Sequence, residues 1–283
     1  MNSDILRRIR DASGFIFDMD GTIALGDAAS GGHQALPYAV EMLDALRKRS
    51  TPYRVFTNGT AKPPASYAAS LRKAGFDVRD EEMMTPSSSA ALWFVKMGIS
   101  RVRVLGTDGV SAPLRDAGIT IIGASEKAEG VEAVYTGWFR EFTSPDMEAA
   151  CESIWAGAML TTASHFPFFA TATGRGIGSS FAINKMITSL TCKQAKILGK
   201  PSRVAFDAAA RSMGLGKSAG KGIVVVGDDP GHEMKMANAA GALSIGMTTG
   251  LMKADTIGKL SATERPALLL ESPNPLLAAL DGR

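Results

Sequence analysis

The sequence predicts an α/β protein: a doubly wound parallel sheet with a second α/β unit inserted into it. Three short apolar runs predict the sheet, because each ends in small or acidic polar residues and each is followed by a helix-like segment. The order of strand, polar loop and helix is typical of a doubly wound parallel sheet. Ligands bind such sheets at the carboxyl ends of the strands, so polar residues at those ends are the first candidates for a functional site.

The elements of the main sheet follow in chain order. We expect strands over the most apolar short runs, which are residues 14–17, 53–56, 222–226 and 243–247. We expect helices where the sequence has helical features, which are residues 36–49, 64–74 and 233–240. Pro37 suits the first turn of its helix, and Gly75 is suited to end the next one.

The middle of the chain differs and predicts a separate unit. Strand-like runs occupy residues 102–105, 119–122 and 133–135, with residues 110–117 between the first two, and helix-like segments follow at 145–156 and 180–188. We therefore expect a core domain made of residues 1–82 and 196–283. An inserted α/β cap domain would occupy residues 83–195.

Composition narrows the class of protein. The 283 residues carry 31 Lys and Arg against 28 Asp and Glu, a net charge of +3 without a basic cluster, so nothing indicates a nucleic-acid partner. Cys151 and Cys192 are too few for a disulfide framework and are expected to be reduced thiols. No apolar stretch reaches about 18 residues and no export signal is visible, so we expect a cytoplasmic protein without a membrane partner, most simply a bacterial one.

The strongest local signal is Asp18-Met19-Asp20-Gly21-Thr22, directly after a buried strand. Two carboxylates two positions apart, followed by glycine, can share one metal-centred site in a turn. An oxygen-rich site of this kind suits Mg²⁺, with water and a substrate phosphate as further ligands. A carboxylate can also act as a nucleophile and form an aspartyl-phosphate.

Three weaker signals lie at other positions. Thr57-Asn58-Gly59 could hold a phosphoryl oxygen, although by itself this segment is more typical of a simple turn. Lys200 could offset the charge of a phosphate, although a lone lysine is more often a solvated surface residue. Gly227-Asp228-Asp229 follows another predicted strand and could be a simple turn or a metal site.

Taken together, the motifs resemble those of the haloacid dehalogenase (HAD) superfamily of phosphohydrolases. The matching segments are Asp18-x-Asp20-Gly21-Thr22, Thr57-Asn58, Gly199-Lys200-Pro201 and Gly227-Asp228-Asp229. Their form, and the large insertion between the second and third, look like the NagD-like, 4-nitrophenylphosphatase-like branch. The resemblance implies a Rossmann-like HAD core with an inserted cap. It also implies a phosphatase for small phosphomonoesters such as sugar phosphates, nucleotides or phosphoglycolate.

The resemblance implies a chemical role for three of these residues. Asp18 would be the nucleophile and a metal ligand. Asp20 would be the general acid for the leaving alcohol and then the base for the hydrolytic water, and its backbone carbonyl would bind Mg²⁺. Lys200 would orient Asp18 and neutralise charge. This division agrees with phosphoryl transfer in general, which depends mostly on positioning and charge stabilisation.

The remaining matching residues would bind. Thr57, Asn58 and Gly59 would hold the phosphoryl group, and Asp228 would be a further metal ligand with Asp229 close by. After Asp228 the branch has a Thr-Asp pair, where this chain has His232-Glu233. Glu233 keeps a carboxylate at that position, so we expect it to support metal binding with a longer reach.

The cap also departs from the branch. In place of an Asn-x-Asp element the chain has an apolar, aromatic segment over residues 162–169, which puts any relative's substrate in doubt. His165 in this segment is a candidate for contact with substrate, although a lone histidine is more often structural. The glycine-rich residues 174–178 lack the lysine of a phosphate-binding loop and are expected to form a turn of the cap.

We therefore expect a Mg²⁺-dependent phosphatase that hydrolyses a small phosphorylated metabolite through an aspartyl-phosphate. A phosphotransferase or another HAD-type hydrolase on the same core remains an alternative, and so does a non-catalytic binding protein that kept the core. A dehalogenase is disfavoured, because that reaction has no use for an acid at Asp20. The sequence leaves open the natural substrate and whether the protein is a homodimer.

Overall fold

The computed structural model describes residues 2–27, 32–171, 174–216 and 219–282. The chain divides into two compact units. The core unit comprises Met1–Thr57, Ala65–Met84 and Phe206–Arg283, and the insert unit comprises Asn58–Pro64 and Thr85–Ala205. The domain division expected from the sequence, at residues 83 and 195, stays a prediction.

The helices and strands of the described residues alternate along most of the chain. The α-helices are α1 (Ser3–Arg10), α2 (Ala39–Lys48), α3 (Pro64–Lys73), α4 (Pro86–Met97), α5 (Asp108–Asp116), α6 (Ser144–Trp155), α7 (Ser179–Thr191), α8 (Arg203–Ser212), α9 (Lys235–Ala240) and α10 (Asn274–Asp281). The strands are β1 (Gly14–Phe17), β2 (Ala24–Asp27), β3 (Gly32–Ala35), β4 (Tyr53–Phe56), β5 (Met83–Met84), β6 (Arg101–Leu105), β7 (Thr120–Ile122), β8 (Ala133–Thr136), β9 (Met159–Thr162), β10 (Phe168–Thr171), β11 (Gly174–Ile177), β12 (Lys196–Ile197), β13 (Ile223–Gly227), β14 (Leu243–Met247) and β15 (Leu268–Leu270).

The core unit is built on a six-stranded sheet in the order β15-β14-β13-β1-β4-β5, with every neighbouring pair parallel. From β1 the chain first builds β4 and β5 on one side and later builds β13, β14 and β15 on the other. The sheet is therefore doubly wound, as the sequence predicts, and its switch point lies between β1 and β13. Ligands of open α/β sheets bind at such a point.

Apolar side chains explain why these short runs form the centre of the sheet. All four residues of β1 and all five of β13 are buried, as expected of parallel strands covered on both faces. Phe15 and Phe17 alternate onto one face, where their rings stack with centroids 5.7 Å apart. Helices α1, α2, α3 and α10 contribute buried apolar residues to the cluster on this face.

An antiparallel hairpin of β2 and β3 follows the first strand. Gly26 in β2 pairs with His33 in β3, and residues 28–31 between the strands lie outside the described residues. The turn that leads into the hairpin is closed by backbone hydrogen bonds. Gly21 N donates to the Ala24 carbonyl at 2.8 Å, and Ala24 N donates to the Met19 carbonyl at 3.1 Å.

The insert unit contains a five-stranded parallel sheet in the order β12-β9-β8-β6-β7. Apolar clusters lie among its strands and helices. Arg103 on β6 is almost fully buried, and its guanidinium donates to the carbonyls of Gly123, Ala124 and Glu126 at 2.7–3.0 Å. Burial lowers the pKa of Arg103, and these carbonyls supply the hydrogen bonds that a buried cation requires.

The main differences from the expected elements have local causes. Helix α2 begins at Ala39 and leaves Pro37 outside, because Tyr38 takes a left-handed φ of 67° at the N-cap. Helix α9 begins at Lys235, because Pro230–Met234 form a π-helical turn that the Asp229 side chain caps.

The expected turn at residues 174–178 is wrong. Gly174–Ile177 form strand β11, which pairs antiparallel with β10. Gly176 stands opposite Phe169, and the Phe169 ring occupies the space that a side chain on residue 176 would need. Gly176 thus permits close packing of an aromatic ring across the hairpin. Elsewhere, no helix in the described ranges is long and apolar enough to cross a membrane.

Candidate active site

Two aspartates stand directly after the two central strands of the core unit. Asp18 follows β1 and Asp228 follows β13, and Phe17 is in register with Val226, so both aspartates lie at the same edge of the sheet. Asp18 N continues the ladder by donating to the Val226 carbonyl at 2.9 Å. The residues are only 9% and 4% exposed. Carboxylates so buried require compensation by hydrogen bonds or cations, which makes this edge the leading candidate site.

Glycines on two loops make room for the Asp228 carboxylate. Gly21, in the turn after β1, and Gly250, after β14, both approach it so closely that a Cβ atom on either would collide with Asp228 Oδ2. Gly21 also has a φ of +81°, which other residues rarely adopt. Leu251 N donates to Asp228 Oδ2 at 2.7 Å, and Thr249 Oγ1 donates to the Gly21 carbonyl at 2.5 Å. The loop after β14 therefore holds both the carboxylate and the turn.

Asp18 and Asp20 have different surroundings although they are two positions apart. Asp18 is buried, and Thr22 Oγ1 approaches its Oδ2 at 3.5 Å. The side chain of Asp20 is 54% exposed and faces the β2–β3 hairpin, where its Oδ1 lies 3.5 Å from His33 Nε2. Two carboxylates in contrasting environments are suited to separate chemical roles.

Asp229 and Glu233 organise the π-helical turn that follows β13. Asp229 Oδ1 accepts from Gly231 N at 2.7 Å, and Asp229 Oδ2 lies 2.7 Å from His232 Nδ1. Glu233 is 2% exposed, and its Oε2 accepts from Asp229 N at 3.2 Å. The Glu233 side chain also packs on Gly227, the last residue of β13. Both acidic residues thus shape the backbone beside Asp228.

The Thr57-Asn58-Gly59 segment is divided between the two units. Thr57 belongs to the core unit, is 6% exposed and donates its backbone N–H to the Met84 carbonyl at 3.2 Å. Asn58 and Gly59 belong to the insert unit and are half-buried. The segment follows β4, as the sequence predicts, so it lies at the carboxyl end of a parallel strand.

Within the insert unit, Asn58 and Lys200 are joined by two hydrogen bonds. Asn58 Nδ2 donates to the Lys200 carbonyl at 3.0 Å, and Lys200 N donates to Asn58 Oδ1 at 3.0 Å. Gly199 permits this approach, since a Cβ there would lie 3.0 Å from Asn58 Oδ1 and would collide with the Ala163 carbonyl. The Asn58 amide therefore positions Lys200, a role the sequence did not suggest. Lys200 itself is 1% exposed, unlike a surface lysine.

The aromatic residues of the insert unit present apolar surface. Phe168 and Phe169, on β10, are 52% and 44% exposed. The His165 ring is exposed and lies against Phe166, with ring centroids 4.5 Å apart. Arg175 on β11 places its guanidinium 5.6 Å from the centre of the Phe168 ring. The hairpin therefore combines apolar surface with a cation that the sequence analysis did not single out.

Within the described residues, no three His, Cys, Asp or Glu side chains come together as a metal site. The ligand set expected from the sequence contains only two such side chains, those of Asp18 and Asp228, with the backbone carbonyl of Asp20 as the third group. All of its atoms are oxygen, which is the ligand chemistry that Mg²⁺ prefers. The donor set of this edge thus suits the ion.

Sequence reasoning missed the loop after β14. The strand itself, residues 243–247, is predicted with the bounds that the structure has. Thr248-Thr249-Gly250 follows it, and the rule that polar residues at strand ends form the site applies there as well. Thr249, Gly250 and Leu251 contact the other loops of the site, so the rule would have identified this loop as part of it.

Two family models match the chain. A haloacid dehalogenase-like hydrolase model matches residues 15–120, and a HAD-hydrolase-like model matches residues 197–274. Among curated proteins, the chain is 24% identical over 241 residues to the 5′-nucleotidase YutF of Bacillus subtilis, a match that covers 85% of this chain and 88% of the relative.

Solved structures share the fold over nearly the whole chain. A 4-nitrophenylphosphatase from Thermotoga maritima is 24% identical, with a TM-score of 0.83 over 96% of this chain and 99% of that one. A glycerol phosphate phosphatase from Mycobacterium tuberculosis, in complex with magnesium, is 23% identical, with a TM-score of 0.80 over 96% of this chain and 77% of that one.

The tight packing at Gly250 gives a test of the site's construction. We expect Gly250→Ala to lower the free energy of unfolding by about 1–3 kcal/mol, because the new methyl group must displace the Asp228 carboxylate. The matched control is Gly258→Ala, where no atom lies within 4 Å of the new Cβ. Urea denaturation of both variants makes the comparison. Equal stability of the two would mean that the carboxylate is not confined.

Proposed function

Because the chain belongs to the haloacid dehalogenase-like hydrolases and is a phosphoric monoester hydrolase, we propose that it uses Mg²⁺ and an aspartyl-phosphate on Asp18. Its substrates are small phosphomonoesters. One observation carries this proposal: two buried aspartates follow adjacent parallel strands at the switch point of the sheet. Their backbone is fixed by the sheet, so the carboxylates are held ready before a ligand arrives.

The proposed metal ligands are Asp18, Asp228 and the backbone carbonyl of Asp20. When bound, Mg²⁺ would supply positive charge that stabilises the phosphoryl group during transfer. Leu251 N already holds one oxygen of Asp228 at 2.7 Å, which orients this carboxylate. The support for magnesium is the all-oxygen donor set, together with the magnesium bound in the glycerol phosphate phosphatase from M. tuberculosis.

Asp18 is the proposed nucleophile, and Asp20 is the proposed acid and base. A carboxylate oxygen of Asp18 attacks phosphorus and forms an acyl phosphate on the enzyme as the P–O bond to the alcohol breaks. Asp20 gives the leaving oxygen a proton and later takes one from the water that hydrolyses the acyl phosphate. Its 54% exposed side chain can reach water, whereas Asp18 is almost enclosed. The environments of the two residues support this division.

The remaining residues are proposed to hold the phosphoryl group. The Thr57 hydroxyl and backbone N–H groups at Asn58 and Gly59 donate to its oxygens. The ammonium group of Lys200 offsets negative charge, and its burial would strengthen that effect relative to bulk water. The side-chain amide of Asn58 is engaged with the Lys200 backbone, so its contribution is to position the lysine.

Substrate choice is proposed to depend on the insert unit, mainly on residues 162–169. The groups that bind phosphate and metal recognise what all phosphomonoesters share, so they cannot distinguish one leaving group from another. Exposed Phe168 and Phe169 and the ring of His165 offer apolar contacts and one ionisable donor. We therefore propose a leaving group with an apolar or aromatic face.

We expect phosphate release to require Mg²⁺. Chelation with excess EDTA should abolish turnover of 4-nitrophenyl phosphate, and added Mg²⁺ should restore it, because Asp18 and Asp228 cannot bind a dianionic phosphate without a cation between them. Isothermal titration of Mg²⁺ into the apo-protein is a readout independent of activity, and Asp228→Asn should weaken that binding. Full turnover in excess chelator would contradict the proposal.

We expect Asp18→Asn to abolish turnover while the fold survives, since the amide is nearly isosteric but cannot attack phosphorus. Asp20→Asn should lower kcat by on the order of 10²–10⁴-fold, the usual range for general acid–base catalysis. Steady-state phosphate release measures both. Asp255→Asn, a change of an exposed aspartate outside the site, is the matched control and should retain the wild-type rate. A near-normal rate for Asp18→Asn would place the nucleophile elsewhere.

We expect His165→Ala and Phe168→Ala to change relative rates across a panel of sugar phosphates, nucleotides and aryl phosphates. Apolar contacts contribute about 1–3 kcal/mol of discrimination, so selectivity should shift by roughly 10–200-fold at most. Leu190→Ala, which truncates an exposed apolar residue of α7, is the control. If relative rates stay constant while thermal stability falls, the segment is structural and this part of the proposal is wrong.

A further inference from the structure

The β2–β3 hairpin brings a histidine to the proposed acid and base. His33 Nε2 lies 3.5 Å from Asp20 Oδ1, and the His33 side chain is only 11% exposed. Gly26, the pairing partner of His33, has no side chain, and a Cβ there would lie 3.8 Å from Asp20 Oδ1. Asp20 therefore lies beside the Gly26–His33 pair of the hairpin, next to an imidazole that is largely shielded from water.

A second contact fixes the orientation of the imidazole. His33 Nδ1 lies 2.8 Å from the hydroxyl oxygen of Ser70 on α3. If that hydroxyl donates to Nδ1, the proton of a neutral imidazole is on Nε2 and points at the carboxylate. The opposite tautomer would direct the Nε2 lone pair at a carboxylate oxygen, which is repulsive. The carboxylate of Asp20 thus favours the tautomer with an N–H at Nε2, and the Ser70 hydroxyl can donate to Nδ1 of that tautomer.

We propose that His33 is a positioning residue for Asp20, an inference that rests on the proposed phosphatase function. An exposed aspartate can adopt several rotamers, and only some place an oxygen where a leaving group or water needs a proton. An N–H directed at Oδ1 selects one rotamer and leaves Oδ2 to exchange the proton. The 3.5 Å separation is longer than an ideal hydrogen bond, as is common for catalytic contacts before substrate binds.

The role of His33 can be separated from a structural one by varying the leaving group. Nitrophenolate leaves without much help from an acid, whereas an alkoxide must be protonated as it leaves. His33→Ala should therefore lower kcat/KM at least about tenfold for an alkyl phosphate, such as glycerol phosphate, and much less for 4-nitrophenyl phosphate. His33→Gln should retain most of the wild-type kcat/KM for the alkyl phosphate, because the amide N–H of glutamine can occupy the place of Nε2–H.

Further variants provide the controls. Gln34→Ala changes an exposed neighbour on β3 and should behave as the wild type with both substrates. In an Asp20→Asn background, His33→Ala should cause no further loss, since it acts through that side chain. Ser70→Ala keeps the imidazole but removes the contact that orients it. Ser70→Ala should show a smaller loss of kcat/KM with the same dependence on the leaving group. This variant provides the test if His33→Ala folds poorly.

Two results would overturn the inference. One is an equal loss of kcat/KM on both substrates in His33→Ala, and the other is a further loss when His33→Ala is added to Asp20→Asn. A wild-type protein that releases no phosphate from either compound, or an Asp20→Asn variant as active as the wild type, has a different meaning. Those results would refute the proposed function itself, and the inference would fail with it. Thermal melting of each variant shows whether a loss of rate comes from unfolding.

Discussion

The parallel pairing of β1 with β13 is the constraint on which the rest of the structure depends. These strands are far apart in sequence, yet Gly14–Phe17 lie in register with Ile223–Val226. The register places Asp18 and Asp228 side by side at the carboxyl edge. Buried apolar side chains on both faces hold the pairing, and a slip by one residue would turn each side chain to the other face.

Bringing two carboxylates to one buried edge is costly, because like charges in a poorly solvated place repel and lose hydration. The loops around them reduce that cost. Leu251 N donates to Asp228, and Gly21 and Gly250 leave the carboxylate the space it needs. The same arrangement favours a cation, so an edge that is unfavourable for stability is suited to phosphoryl transfer.

The candidate residues are held in two different ways. In the core unit, Asp18 and Asp228 continue strands of a buried sheet, and their backbones are fixed. In the insert unit, Phe168 and Phe169 stand exposed on a two-stranded hairpin. Rigid placement suits a reaction whose geometry is the same for every phosphomonoester. An exposed hairpin can vary in its side chains without disturbing the core, which suits the proposed role of these residues in distinguishing leaving groups.

The sequence by itself determined the doubly wound core and the positions of Asp18, Thr57 and Asp228 at strand ends. Those features follow from local patterns: a short apolar run, then polar residues, then a helix. It did not reveal the pairings of Asp20 with His33, of Asn58 with Lys200, or of Asp228 with Gly250 and Leu251. Asn58 and Lys200, for example, are 142 positions apart. Only the packed loops decide such contacts, because periodicity records which face a residue occupies and not which distant residue it meets.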